Sequence, residues 1–192
     1  MPDFSTLTLL TPRLRLRPLR VGDAEALWAI FGHPEVARYW STPPWPDDSR
    51  GHEMIANDIA DLPQGRHLRL ALEPTGGGPL IGTCSLFEFD AQSRRCQIGY
   101  ALARTAWGRG LMHEALLALV GHAFGALGMR RIEADIDPRN TASARALERL
   151  GFQREGLLRE RWQVGDEISD TAFYGLLARE WPPRAASIDP AT

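Results

Sequence analysis

Two glycines ahead of a predicted helix have the spacing of a phosphate-binding loop. Gly108 and Gly110 lie between a strand pattern that ends near Ala103 and a helical pattern that begins at Leu111. Glycine lets the backbone turn tightly and approach a ligand, and the first turn of a helix adds unpaired N–H donors and a positive dipole end. The loop therefore suits a phosphate or pyrophosphate.

Three interpretations of this glycine pair compete. The first is a tight connector whose glycines serve only to reverse the chain and bind no ligand, and the sequence does not exclude it. A Walker A loop is excluded because Gly-Lys-Ser/Thr does not follow. A dinucleotide fingerprint needs a third glycine, but His113 occupies that position, and the antiparallel strands predicted before the loop also oppose it.

A second motif surrounds Asn140. This residue is a good N-cap for a helix over residues 141–150, Gly151 is a left-handed stop, and Phe152 is its packing partner. A purely structural role accounts for all of these residues, so the motif alone assigns no chemistry.

The sequence argues against metal catalysis. Cys84 and Cys96 are too few for a disulfide framework or a thiolate metal site, and we predict buried thiols. His113-Glu114 is followed by Leu117 where a zinc-protease helix carries its second histidine, and the other histidines are scattered. We therefore expect no metal.

The elements that must position these motifs follow from apolar periodicity and from glycine and proline breaks. Strands are predicted at residues 14–17, in an antiparallel meander over 67–72, 80–89 and 96–103, and at 131–136, 152–155 and 171–177. Helices are predicted at residues 24–31, 47–62, 111–127 and 141–150. Antiparallel strands followed by a β-α-β-α-β pattern predict an α/β protein with a mixed central sheet and helices on both faces.

Composition excludes several classes of function. The chain has 192 residues, 22 Lys+Arg against 24 Asp+Glu, and a net charge of -2, which predicts a single domain over residues 1–181. No basic excess supports nucleic-acid binding. No signal peptide or membrane span is visible, so a cytoplasmic protein is expected, and residues 182–192 have the composition of a disordered tail.

Five segments, in their order and spacing, carry a family resemblance. They are TPRLRLR at 11–17, IGY at 98–100, WGRG at 107–110, NTAS at 140–143 and LGF at 150–152. Across about residues 8–180 the sequence resembles the GNAT superfamily of acetyl-coenzyme A dependent N-acyltransferases. More specifically, it resembles the RimJ/RimL-type group, which acetylates N-terminal amines of ribosomal proteins.

The resemblance implies a GNAT fold, a twisted mixed sheet with helices on both faces, and acetyl-CoA as co-substrate. It implies that backbone groups of Tyr100, Ala101 and Leu102 pair with the pantetheine arm, and that Asn140 and Ser143 face the cofactor. The amides expected to cradle the pyrophosphate are those of Gly108, Arg109, Gly110, Leu111, Met112 and His113. Met112 departs from the small residue common at its position, which a backbone contact tolerates if the side chain turns into the core.

Catalytic assignments also follow from the resemblance. Many GNAT enzymes carry a tyrosine acid seven residues after the asparagine, but this chain has Leu147 there, which leaves Ser143 as the hydroxyl near the thiolate. A strand amide near Leu102 is expected to stabilise the oxyanion. Trp40 and Trp45, in a proline-rich loop, are candidates for the substrate wall, with ordinary packing as the equal alternative.

The general base is left open by the sequence. Gln97 stands where some family members place a glutamate, and an amide cannot take the proton. The candidates elsewhere are Glu88, Asp90, Glu160 and Asp170. An α-amine titrates near about 7.7 to 8.0 and a lysine near about 10.4, so the α-amine is easier to deprotonate at neutral pH.

We therefore expect acetyl transfer from acetyl-CoA to a primary amine, most naturally a protein or peptide N-terminus. A polyamine, an aminoglycoside or a free amino acid are alternative acceptors, and a non-catalytic acyl-CoA-binding sensor is an alternative of another class. A homodimer is left open.

Overall fold

An eight-stranded mixed sheet forms the centre of the fold in the computed structural model, which describes residues 2–181. The strands are β1 (Leu9–Leu10), β2 (Leu14–Pro18), β3 (Leu68–Pro74), β4 (Gly82–Asp90), β5 (Arg95–Leu102), β6 (Arg131–Ile136), β7 (Gln153–Val164) and β8 (Glu167–Leu177). Their spatial order is β1-β2-β3-β4-β5-β6-β8-β7. The predicted antiparallel meander is confirmed in β3, β4 and β5, and the predicted tail lies outside the described residues.

Helices cover both faces of this sheet, as predicted. They are α1 (Ala24–Phe31), α2 (Pro34–Ala37), α3 (Ser49–Asp61), α4 (Leu111–Gly125) and α5 (Thr141–Arg149). Leu116 and Leu119 of α4 are fully buried in the larger core, together with Leu147 of α5. Leu27 of α1 and Ile55 of α3 belong to a smaller core on the other face. Each amphipathic helix therefore buries its apolar stripe against one side of the sheet.

The two central strands separate part of the way along their length. β5 and β6 run parallel and pair only from Arg95 with Arg131 to Gln97 with Glu133. Beyond that point β5 continues to Leu102 and diverges from β6. On its other edge, β6 pairs antiparallel with β8 along its whole length, from Arg131 to Ile136. The sheet thus opens into a wedge, which we call the β5–β6 gap.

The C-terminal hairpin differs most from the prediction. The sequence indicated short strands at 152–155 and 171–177, whereas β7 and β8 are 12 and 11 residues long and meet at a turn that contains Gly165, with φ of 58°. Nearly every residue of β7 is exposed, so neither face carries the apolar alternation from which a strand is recognised. The two-residue β1 and the four-residue α2 were also not predicted.

Candidate functional site

The open side of β5 presents main-chain groups to the β5–β6 gap. The amide of Ala103 donates to Ile81 O at 2.8 Å, so alternation along an antiparallel strand directs the N–H of Ala101 toward β4 as well. The N–H groups of Tyr100 and Leu102 then point away from β4, into the gap. Leu102 O, which lies on the same edge of β5 as the Leu102 N–H, accepts from Trp107 Nε1 at 2.8 Å. The N–H groups of Tyr100 and Leu102, rather than that of Ala101, therefore face the gap.

The glycine loop has the backbone expected of a phosphate cradle. Gly108 and Gly110 both have φ of 73°, and a Cβ on Gly108 would meet no atom within 4 Å. Gly110 is the N-cap of α4. Within residues 2–181 the amides from Gly108 to His113 donate to no protein acceptor. Unpaired amides around open space at a helix N-terminus fit the pyrophosphate of coenzyme A.

The N-terminal segment fixes this loop in place. Glu114, in the first turn of α4, accepts from Thr11 Oγ1 at 2.6 Å, from Arg13 N at 2.8 Å and from Arg13 Nε at 2.6 Å. Arg13 Nη1 donates to Arg109 O at 2.9 Å. Burial raises the pKa of Glu114, but these hydrogen bonds outweigh it and lower the pKa overall. The TPRLRLR motif thus contributes residues that hold the cradle, a role that the sequence alone did not assign.

The other loop residues divide between core and surface. Leu111 is buried, Met112 packs against the larger core and His113 is half-buried. Arg109 is exposed, and its carbonyl oxygen accepts from Arg13. The large side chain of Met112 therefore leaves the amide face of the loop free.

Asn140 and Ser143 lie where α5 begins beside the gap. Asn140 Oδ1 accepts from Ser143 N at 3.1 Å, so Asn140 caps α5 as predicted. Ser143 Oγ lies 2.8 Å from Tyr100 Oη, a distance at which either hydroxyl can donate. The Tyr100 phenol also donates to Ser143 O at 3.3 Å. A side chain from β5 thus reaches across the gap to the helix hydroxyl.

Tyr100 therefore has a side-chain role that sequence reasoning missed, since only its backbone was considered there. Burial raises its pKa to about 12, opposed by the hydrogen bond with Ser143, so the phenol stays protonated at neutral pH. Leu147, at the position where many family members have tyrosine, is fully buried in the larger core. Tyr100 and Ser143 both line the cavity, so their hydroxyls are candidates for that chemical role.

A cavity of about 400 Å³ passes through the gap from one face of the sheet to the other. We name the two faces after the ligands expected from the sequence: the face covered by α4 and α5 is the cofactor side, and the face covered by α1 and α3 is the acceptor side. Tyr100, Asn140 and Ser143 line the cavity toward the cofactor side. On the acceptor side the lining includes Phe31, Trp40, Met54, His67, Arg69, Ser85, Phe87, Glu88 and Gln97, and Arg161 and Trp162 of β7 also contribute.

The two candidate tryptophans differ in placement. Trp40 lines the cavity, is 37% exposed and meets the Phe31 ring edge-to-face at 5.0 Å between centroids. Trp45 is 8% exposed and stacks on Phe31 at 4.7 Å, away from the cavity lining. Trp40 therefore belongs to the wall, and Trp45 packs behind it.

The candidate bases are also separated by the structure. Glu88 lines the cavity, and Gln97 Nε2 donates to Glu88 Oε2 at 2.5 Å. Asp90 accepts from Ser93 in the following turn, at 2.8 Å from its amide. Asp170 accepts from Glu160 N at 2.9 Å on the exposed hairpin. Of the four carboxylates, only Glu88 lines the cavity.

A buried ion pair underlies the acceptor side. Arg69 Nη1 lies 3.1 and 3.0 Å from the two carboxylate oxygens of Asp58, and Arg69 Nε donates to Ser85 Oγ at 3.3 Å. Burial raises the pKa of Asp58 to about 6, although Arg69 opposes the shift. Burial and the neighbouring Arg69 lower the pKa of His67 to about 4, so this cavity histidine is neutral at pH 7.

Two further properties concern the described part of the chain. Residues 2–181 contain no cluster of three or more His, Cys, Asp or Glu side chains arranged to hold a metal ion. Within the same range, none of the helices combines the length and the apolar character that crossing a membrane requires.

The comparisons with known proteins agree with this geometry. The acetyltransferase (GNAT) domain family matches residues 13–153. An uncharacterized N-acetyltransferase p20 of Bacillus licheniformis is 36% identical over 176 residues, 91% of this chain and 98% of that protein. The [ribosomal protein uS5]-alanine N-acetyltransferase of Escherichia coli is 32% identical over 88 residues, 46% of this chain and 45% of that protein.

A solved structure shares the fold. Spermidine N-acetyltransferase from Vibrio cholerae, in complex with CoA and spermine, superimposes with a TM-score of 0.78 at 21% identity, covering 88% of this chain and 98% of that one. The predicted fold class and the expected N-acyltransferase chemistry are confirmed. The chain belongs to the GNAT family and is an acetyl-CoA dependent N-acetyltransferase.

Proposed function

We propose that this enzyme acetylates the N-terminal α-amine of a protein or peptide. The observation that carries the proposal is the charge of the cavity wall. Its ionised side chains are the carboxylates of Glu88, Asp135 and Asp137 and the guanidinium groups of Arg69 and Arg161. This composition suits an acceptor with one positive charge at the reacting end.

Most of these charges are already compensated. Arg69 is paired with the buried Asp58, and Asp137 forms an ion pair with Arg139. Asp135 lies 3.9 Å from Arg161. Within residues 2–181, Glu88 has no cationic partner within 4 Å, so the cavity offers one uncompensated carboxylate.

This charge pattern disfavours polyamines. A polyamine carries several ammonium groups, each of which loses hydration on entering a cavity and requires a carboxylate there. Because Arg69 and Arg161 are paired with Asp58 and Asp135, Glu88 is the carboxylate left for the ligand, and the further ammonium groups of a polyamine would find no such partner in the cavity wall. A peptide N-terminus brings one ammonium group, and its chain can leave the cavity past Trp40 and Trp162, which are both partly exposed.

The cofactor side supports binding of acetyl-CoA through the main chain. The amides from Gly108 to His113 would hold the pyrophosphate, and those of Tyr100 and Leu102 would hold the pantetheine arm. When bound, acetyl-CoA supplies an activated acetyl thioester. The amide of Leu102 is our candidate for the donor that stabilises negative charge on the carbonyl oxygen.

The hydroxyl pair at the start of α5 supports departure of the thiolate. A thiol has a reference pKa of about 8.5, so a nearby donor stabilises the leaving thiolate at neutral pH. Either hydroxyl can donate across the 2.8 Å between Tyr100 Oη and Ser143 Oγ, and the phenol is protonated at neutral pH. In the proposed arrangement Tyr100 donates to Ser143 Oγ, and Ser143 Oγ donates toward the sulfur. The pair replaces the tyrosine that Leu147 excludes.

The relatives are consistent with this acceptor class and also set its main rival. The Escherichia coli relative is named for acetylating an alanine of a ribosomal protein, whereas the Vibrio cholerae structure is named for spermidine. The latter likeness, at 21% identity, concerns the fold alone.

An acceptor panel tests the proposal. CoA release is followed with an alanine-initiated and a serine-initiated peptide, N-acetylated peptides with an internal lysine, spermidine, an aminoglycoside and free amino acids. The enzyme sequence contains no lysine, so the enzyme adds no ε-amine to the assay. We expect the free N-terminal peptides to react at least ten times faster than the others, with the acetyl group on the α-amine by mass spectrometry. Preference for spermidine would refute the proposal, and binding of CoA without any turnover would favour the sensor.

A further inference from the structure

A β-bulge sets the direction of the one uncompensated carboxylate in the cavity. Phe87 pairs with Gln97 and Asp90 pairs with Arg95, so Glu88 and Phe89 on β4 oppose the single residue Cys96 on β5. Two residues against one is the definition of a bulge, and bulges often re-aim a side chain next to an active site.

The bulge moves Glu88 from one face of the sheet to the other. Leu86 is buried in the larger core, so strict alternation would place Phe87 on the acceptor side and Glu88 back in that core. Instead, Glu88 lines the cavity beside Phe87, and Phe89 takes the core position, with its ring 5.9 Å from that of Phe4. The extra residue thus removes a charge from the core and adds one to the cavity.

This placement has a conformational cost. Glu88 has φ of 49°, in the left-handed region that a glutamate rarely adopts. Such strain is retained where the surrounding structure imposes it, and it clusters at functional sites. Gln97 holds the carboxylate in this orientation by donating to its Oε2.

We propose that Glu88 is the general base of the acetyl transfer, so that the carboxylate is supplied by β4 while its β5 neighbour Gln97 only positions it. The inference rests on the proposed function in that it requires an amine acceptor in this cavity. Glu88 takes one proton from the acceptor ammonium. The freed amine forms the C–N bond as the C–S bond breaks, its second proton leaves to solvent, and the thiolate takes a proton from the Ser143–Tyr100 pair, which is reprotonated from solvent.

The test uses the whole enzyme with the acceptor it acetylates best. Glu88→Gln removes the carboxylate while keeping the size of the side chain. We expect kcat/KM at pH 7 to fall about 100-fold, in the range of one general base, with acetyl-CoA affinity unchanged. The matched control is Glu25→Gln, an equal change at an exposed position of α1 outside the cavity lining, which should leave kcat/KM within two-fold of wild type.

The pH profile separates a base from a structural residue. Without Glu88 the reaction depends on acceptor already deprotonated in solution, so the deficit of Glu88→Gln should shrink as pH rises above the α-amine pKa of about 8. A residue that only shapes the cavity would give a deficit that does not change with pH. The exchange variant Glu88→Gln with Gln97→Glu returns a carboxylate to the same pair from β5 and should recover at least ten-fold of the lost rate.

Stability gives a second discriminating readout. Glu88→Gly relieves the left-handed strain, so its melting temperature should equal or exceed that of wild type while its activity falls as far as that of Glu88→Gln. Wild-type kcat/KM in a folded Glu88→Gln variant at pH 7, judged folded by its stabilisation by CoA, would overturn the proposal. If the wild-type enzyme prefers spermidine to peptides, the proposed function fails while the same variants still test Glu88 with spermidine.

Discussion

The cofactor side and the acceptor side of the β5–β6 gap are built from different parts of the chain. On the cofactor side the groups proposed to bind the ligand are mostly main-chain N–H groups, presented by one continuous segment from Tyr100 to His113. On the acceptor side the cavity is lined mostly by side chains, which come from α1, α3, β3, β4, β5, β6 and the β7–β8 hairpin. A main-chain site depends on backbone conformation, whereas a side-chain site depends on which residues the fold brings together.

The largest effect is expected where a side chain is forced into the main-chain site. Gly110→Glu places a carboxylate at the helix N-terminus that would hold the pyrophosphate, and it strains a residue with φ of 73°. Acetyl-CoA at 100 times its dissociation constant should stabilise the wild-type fold by about 2.7 kcal/mol. The variant should lose this shift entirely, as measured by thermal unfolding with and without the ligand.

Gly110→Ala is the control for backbone strain. A Cβ there would lie 3.6 Å from Arg13 Nη2, an ordinary contact, so this variant should keep part of the shift. An undiminished shift in Gly110→Glu would place acetyl-CoA elsewhere in the molecule.

The second-largest expected effect is a pH dependence of folding stability, which arises from a side chain on the acceptor side. His67 has a folded-state pKa of about 4, below its usual value, because of burial and the charge of Arg69. Between about pH 6.5 and 4 the unfolded chain takes up a proton at His67 that the folded chain refuses, so this contribution to stability is complete above pH 6.5 and is lost as pH falls.

Asp58 works in the opposite direction over an overlapping range. Its pKa is raised to about 6, so the folded chain takes up that proton first and gains stability as pH falls below 6. His67→Gln isolates the histidine. Between pH 7.5 and 4.5, the difference in unfolding free energy between this variant and wild type should change by about 2 kcal/mol in favour of the variant, as measured by denaturant titration. An equal pH dependence in wild type and His67→Gln would disprove the assignment.

The contrast between the two sides also explains what could be read from the sequence. The glycine loop, the Asn140 cap and the central strands are local patterns, and each was predicted at nearly its observed position. The side chain of Tyr100 was missed because its partner Ser143 is 43 residues away, and spacing along the chain does not reveal such a pair.

The bulge at Glu88 left a signal that was not used. Leu86, Phe87 and Phe89 are apolar while Glu88 is charged, so no single alternation puts the apolar residues on one face and the charge on the other. One extra residue in this strand, as in a bulge, lets Leu86 and Phe89 share a face while Glu88 lies on the other. Its contact with Gln97 required the register between β4 and β5, which the sequence does not provide.

The third effect concerns the hydroxyl pair of Tyr100 and Ser143, the side-chain groups proposed to act on the cofactor side. Ser143→Ala should lower kcat about ten-fold with acetyl-CoA affinity unchanged, since a hydrogen bond to a charged group contributes about 1.5 to 3 kcal/mol. Tyr100→Phe removes the donor behind Ser143 and should lower kcat by a similar factor. Because the two hydroxyls act as a unit, the double variant should be little slower than either single one. Wild-type turnover with a lower melting temperature in Ser143→Ala would reduce Ser143 to a helix-capping role.

The smallest effect separates the two tryptophans of the acceptor side. Trp40 is partly exposed and lines the cavity, so Trp40→Ala removes apolar wall from the acceptor without emptying the core. The acceptor KM should rise about three- to five-fold, equivalent to roughly 1 kcal/mol of lost contact, while kcat and acetyl-CoA affinity stay unchanged.

Trp45 is buried against Phe31 and outside the cavity lining, so Trp45→Ala should lower the melting temperature and leave the acceptor KM near wild type at temperatures where it stays folded. Steady-state kinetics and thermal unfolding of the two variants measure both quantities. An unchanged acceptor KM in Trp40→Ala would show that the acceptor approaches by another wall, for which Trp162 on β7 is the next aromatic side chain along the cavity.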